Sequence, residues 1–146
     1  MHVTRFFSAL IGCLLAAGPA AAEAEITTEI LAQSTASWDG EPFVYPEGTP
    51  QLTVVRIRIP AGSSLPWHCH PMPLAGVLTK GRLVVTKPDA TSVTVEEGEG
   101  LIEVSRQWHR GAAEVDAEII VVYAGAVGLP TGFGEDAKPQ LKELCR

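Results

Sequence analysis

Gly62-Ser63-Ser64-Leu65-Pro66-Trp67-His68-Cys69-His70 and, further along, the stretch from Gly98 to His109 hold three of the four histidines in this chain. The fourth, His2, lies in a leader-like segment. Successive side chains on an extended strand point to opposite faces, so residues i and i+2 share one. His68 and His70 therefore form a ligand pair by geometry, and His109 is the one other imidazole available to join them.

The surroundings of these stretches read as β-structure. In Thr53 to Ile59, Val55, Ile57 and Ile59 alternate with Arg56 and Arg58, the pattern of a half-buried strand. Leu74–Thr79 and Arg82–Lys87 flank Lys80-Gly81, which predicts a tight hairpin with Gly81 at positive φ. Ser92–Val95 alternates, Leu101–Val104 follows as a strand, and the β-branched run from Ala117 to Tyr123 suggests a strand covered on both faces. A weak helical pattern spans Ala137–Leu144. Many short strands between Gly and Pro turns predict an all-β sandwich or barrel.

Residues 1–24 read as a secretory signal peptide: Arg5, an apolar run from Phe6 to Ala17, then small residues around Ala20, Ala22 and Ala24. The run is too short to span a bilayer comfortably, and no later stretch reaches the roughly 20 apolar residues a spanning helix needs. The expectation is a periplasmic or secreted protein with no transmembrane span. Leu10-Ile11-Gly12-Cys13 resembles a lipobox, so the alternative is a lipoprotein anchored through Cys13.

The expected organisation is residues 25–50 as an N-terminal arm containing Trp38-Asp39-Gly40, 51–126 as one β-barrel domain, and 127–146 as a C-terminal tail. The net charge of −6 and the lack of a basic stripe argue against nucleic acid as a partner. Edge strands make a homodimer an open expectation. Cys69 and Cys145 are the cysteines left beyond the leader, and sequence leaves open whether they pair.

The two histidine stretches resemble the paired motifs of the cupin superfamily. Gly62, His68, His70 and Gly81 match G-x5-H-x-H-x3,4-E-x6-G, except that Leu74 or Ala75 stands where the glutamate belongs. Gly98 and His109 match G-x5-P-x-G-x2-H-x3-N, with Val104, Arg106 and Ala113 in place of the proline, glycine and asparagine. The resemblance implies a single-domain, all-β, cupin-type jelly-roll β-barrel. It also implies a divalent transition metal on His68, His70 and His109 without the carboxylate, with Fe(II) favoured and Zn, Mn, Ni or Cu open. Three protein ligands leave positions open for a small-molecule ligand. Some cupin dioxygenases use three histidines, so a dioxygenase-like oxidoreductase is one expectation. A non-catalytic small-molecule or metal-binding module is the other, favoured by the missing glutamate and the absence of an obvious acid–base residue.

Glu103 and Glu99 would restore a carboxylate if either pointed inward, although a solvated turn charge is the plainer reading of Glu99. Tyr45 and Tyr123 are the only other proton-transfer candidates, and no spacing recommends either. Trp67 and Cys69 should point away from the histidines as packing residues, Trp108 should pack on the sheet or at a dimer contact, and Met72 and Leu74 should line an apolar pocket. Arg82 and Arg106 are the candidates to hold an anionic substrate.

Overall fold

The computed structural model describes residues 25–146; the leader and Cys13 lie outside the described residues. The strands are β1 (Pro50–Ile59), β2 (Ser63–Ser64), β3 (His68–Cys69), β4 (Leu74–Lys80), β5 (Arg82–Thr86), β6 (Ser92–Glu96), β7 (Gly100–Ile102), β8 (Arg110–Ala113), β9 (Ala117–Ala126) and β10 (Phe133–Gly134), followed by the single-turn helix α1 (Pro139–Lys142). They form two four-stranded antiparallel sheets, ordered β1-β9-β4-β7 and β2-β8-β5-β6, and a small pair of β10 with β3. The expected jelly roll is thus realised as two apposed sheets rather than one closed barrel.

Alternation decides which side chains meet between the sheets. Ile59 from β1, Leu74 and Leu78 from β4, and Ile119, Val121 and Tyr123 from β9 pack against Leu83 and Val85 of β5, Val95 of β6 and Ala113 of β8. Each fully buried aliphatic side chain in such a core contributes about 1.5–3 kcal/mol relative to exposure. The outer face of β9 is more open than its composition suggests. Val122 is 38% exposed and lies opposite Val54, itself 65% exposed, so the β-branched run marks a strand flanked by neighbours in the sheet, not one covered on both faces.

Lys80-Gly81 does not close a hairpin. β4 pairs with β9 and β7, while β5 pairs with β6 and β8, so this corner carries the chain from one sheet to the other. A register shift between Leu78 and Lys80 bends β4 just before the corner. Gly81 does have the positive φ expected of it, +80°, and a Cβ there would collide with the Asp116 carbonyl. The local turn chemistry was correct and the pairing was not, because which sheet receives β5 depends on partners distant in sequence.

The N-terminal arm folds back along the domain. Trp38 packs against the core, its amide bonds to the Ile102 carbonyl, and the Leu31 carbonyl closes on Gly100. The tail is tied down by β10 on β3, by a Cys69–Cys145 disulfide with a Cα–Cα distance of 6.5 Å, and by an Arg146–Glu41 ion pair of 2.7 Å. Among the described residues no helix is long and apolar enough to cross a membrane.

Candidate metal centre

β3 sets the histidine pair. His68 and His109 face one another across an antiparallel bridge, exchanging backbone hydrogen bonds of 3.0 Å in both directions. This bridge lies beyond the Ser64–Ala112 end of the β2–β8 ladder and is shifted from its register by one residue. Residues directly opposite on antiparallel strands bring their side chains close. The His68 and His109 rings accordingly lie 4.4 Å apart between centroids, and His70, on the same face as His68, completes the group at 4.9 and 5.0 Å. One ligand nitrogen from each ring lies within 4.8 Å of the others.

Hydrogen bonding orients all three rings alike. The Nδ1 of His68 lies 2.9 Å from the Pro66 carbonyl, that of His70 2.6 Å from Thr131 O, and that of His109 3.0 Å from Gln107 O. A carbonyl only accepts, so each Nδ1 carries the proton and each Nε2 presents a lone pair. The His109 Nε2 is buried with no hydrogen-bond partner. A buried acceptor left unpaired is costly, and with one ring nitrogen of each of the three histidines within 4.8 Å of the others, a cation among them would satisfy it. The donor set fits a first-row transition metal.

Burial also keeps the imidazoles neutral. It pushes His70 down to about 3, helped by repulsion from His109 and His68, and it lowers His68 and His109 as well. The small cavity in front of them, about 50 Å³, is lined by Ile57, Leu74, Val85, Val121, Tyr123 and Glu103 among others. Larger surface depressions exist elsewhere, but none contains the histidines. The site is therefore identified by its donors rather than by its size.

Glu103 faces inward. The chain leaves β7 after Ile102, and alternation puts Glu103 on the face of buried Leu101. Its Oε1 accepts from Trp38 Nε1 and from the Val104 amide, each at 2.9 Å. Burial raises its carboxyl to about 6 against these two bonds. The sequence left two orientations open for this residue, and the packing of Trp38 selects the inner one. Glu99 instead bonds the Glu96 amide within its own turn.

Tyr123 lines the same cavity, its ring 5.3 Å from that of His70, and burial followed by the Glu103 charge raises its hydroxyl above the ordinary value. Its place on the inner face of β9 was available from alternation with Val121; its proximity to the histidines was not. Tyr45 is 70% exposed.

Other expectations divide. Cys69 points away from the histidines into its disulfide, and Trp67 stacks under Arg110 at 4.8 Å. Trp108 packs edge-on against Phe133 of the tail. Leu74 lines the cavity, whereas Met72 is buried in the core against Gly125. Neither Arg82 nor Arg106 reaches the cavity. Arg82 pairs with Glu96 on the surface, and Arg106 donates to the Leu144 carbonyl. Arg106 does retain a positive φ of 58° where the motif has glycine, so the backbone bend survives the substitution.

The family described as "Cupin domain" matches residues 55–123. The chain belongs to the cupin superfamily. No curated protein matches the sequence. Among solved structures this cupin is similar to a conserved protein of unknown function from Streptococcus pyogenes, at 18% identity over 51% of this chain and 64% of that one, TM-score 0.47. It is also similar to a DMSP lyase structure, at 17% over 58% and 44%, TM-score 0.51. A third is a cupin-2 domain containing protein from Shewanella frigidimarina, at 18% over 56% and 76%, TM-score 0.42. The shared region spans less than two thirds of the first two proteins, and at these identities the likeness is one of fold.

Proposed function

We propose that this cupin binds one divalent transition metal through the Nε2 atoms of His68, His70 and His109, and acts as a dioxygenase-like oxidoreductase on a small organic ligand. The observation that carries the metal reading is the shared orientation of the rings: three Nδ1–H groups tied to backbone carbonyls, and three lone pairs turned toward one another. Fe(II) is the first candidate; when bound, it would supply redox chemistry and open positions.

The chain's own groups do the rest. The carbonyls of Pro66, Thr131 and Gln107 hold the rings, Ile57, Val85 and Val121 keep bulk water out, and Glu103 and Tyr123 stand ready to accept or donate a proton. The non-catalytic reading draws on the missing motif glutamate and on the lack of an acid–base group near the site. The two residues in the cavity answer the second of these and support catalysis.

The disulfide supports an exported protein, because such bonds persist in oxidising compartments. We therefore keep the periplasmic or secreted assignment as part of the proposal. The test is elemental analysis of protein recovered from the periplasm, followed by oxygen consumption of the Fe(II)-loaded protein across diketones, phenols and thiols. Near-stoichiometric metal that disappears in His68→Ala, His70→Ala and His109→Ala is expected. Full retention of metal by those variants would refute the site, and silence across the panel would refute the oxidoreductase.

A further inference from the structure

The carboxylate in the cavity is unlike the one the motif omits. Positions 74 and 75 hold leucine and alanine, and Glu103 arrives instead from the opposite motif, beyond the end of β7. It does not join the cluster of converging ligand nitrogens. Both of its hydrogen bonds fall on Oε1, and Oε2 accepts none among the described residues.

The anchor comes from the N-terminal arm. Trp38 holds Glu103, while the next residue, Asp39, bonds Lys87 Nζ at 3.0 Å and Gln107 Nε2 at 2.8 Å. Gln107 in turn supplies the carbonyl that orients His109. One turn of the arm thus positions both the carboxylate and a histidine of the site.

We propose that Glu103 sets the ligand selectivity of this site: its free oxygen accepts a hydrogen bond from a neutral O–H or N–H ligand beside the histidines and disfavours anions there. The inference rests on the metal-binding reading above. Three neutral imidazoles leave a divalent ion its whole charge, which by itself attracts anions. A carboxylate in the same small cavity offsets part of that attraction, because two like charges in a poorly solvated space repel strongly. A cavity of about 50 Å³ accepts only a few heavy atoms beside an ion, at roughly 10–15 Å³ for each water-sized occupant. The chemical class is therefore a small neutral protic ligand: water, an alcohol, or a protonated acid group at the end of a larger molecule.

The test compares wild type with Glu103→Gln, which keeps the shape and the acceptor for Trp38 but removes the charge. Co(II) binding, the visible spectrum of the Co(II) protein and its affinity for azide are measured. The expected result is a Co(II) affinity lowered by about tenfold at most, a spectrum of unchanged shape, and azide binding strengthened by about tenfold. Unchanged azide affinity would make Glu103 an anchor for Trp38 alone and overturn the proposal. Loss of Co(II) by roughly a hundredfold or more with a changed spectrum would make it a direct ligand, beyond the usual outer-group effect, and would overturn the proposal too. Wild type that takes up no Co(II) fails the metal reading itself, before any azide is added, and the proposal falls with it. Should Glu103→Gln not fold, Glu103→Asp draws the charge back by one methylene; a smaller rise in azide affinity is expected, and no rise overturns the proposal.

Discussion

Replacing Cys145 by serine tests how the tail is held. The Cys69–Cys145 bond closes a loop with a sequence separation of 76. In the chain-entropy account, such a loop removes about 15 cal/mol/K from the unfolded state, or about 4.5 kcal/mol at 25 °C. Unfolding entropy for a chain of roughly 120 folded residues is about 0.26 kcal/mol/K, so the expected fall in Tm is about 17 °C. That value assumes the tail stays docked without the bond. Its other ties include the β10–β3 pair, the Trp108 amide on the Arg146 carbonyl at 3.3 Å, the Arg146 amide on the Arg106 carbonyl at 3.0 Å, Arg106 Nε on the Leu144 carbonyl at 3.2 Å, and the exposed Arg146–Glu41 pair, which contributes little. If those ties fail, the folded state regains freedom and the loss is smaller. Thermal unfolding followed by circular dichroism, for Cys145→Ser and for wild type with reductant, gives the shift. A change under about 3 °C, equivalent by the same entropy to less than 1 kcal/mol, would refute the view that this cross-link acts through the unfolded chain.

Acid should destabilise the metal-free protein through His70. Its folded pKa is depressed, so the stability tied to its neutral form is present above about 6.5 and is lost as pH falls toward about 3, on the order of 5 kcal/mol in all. Glu103 acts with the opposite sign. Its folded pKa is raised to about 6, so stability is fully present below its ordinary value and is lost as pH rises through about 6; acidification over that interval returns up to about 2 kcal/mol. Urea midpoints should therefore fall as pH drops below 6.5, with Glu103 offsetting part of the loss above 4.5 and the likewise depressed His68 and His109 adding to it, and His70→Ala should flatten the drop. Gly132→Ala should weaken metal binding with little loss of fold, since its Cβ would press on the His70 ring at 2.8 Å and dislodge it from Thr131; calorimetric titration with Zn(II) at wild-type affinity would contradict this. Gly81→Ala should cost at least about 3 kcal/mol, from its positive φ and the collision with Asp116; a urea midpoint equal to wild type would exclude the corner geometry.

Much of the site was legible because its elements are local. His68 and His70 share a face by strand alternation, and motif spacing singled out His109. The bridge that sets His68 opposite His109 depends on β8 meeting β2 and on a one-residue shift between that ladder and the bridge, neither of which a local pattern gives. Glu103 was ambiguous for a related reason. Alternation groups it with Leu101 but does not say which face is interior until β4 and the Trp38 arm are in place. Arg82 and Arg106 stand out in the sequence by charge alone, and charge does not reveal where a side chain points.

The sequence by itself determined the all-β character, the histidine pair, the positive φ at Gly81 and the membership of the family, since each rests on spacing within a few residues or on a motif. Tertiary structure alone decided that Lys80-Gly81 crosses between sheets, that Cys69 meets Cys145, and that Trp38 turns a glutamate from the second motif into the cavity. The physical reason is long-range closure. These contacts join segments that share no local pattern, and each is selected by which surfaces remain to be buried once the two sheets pack.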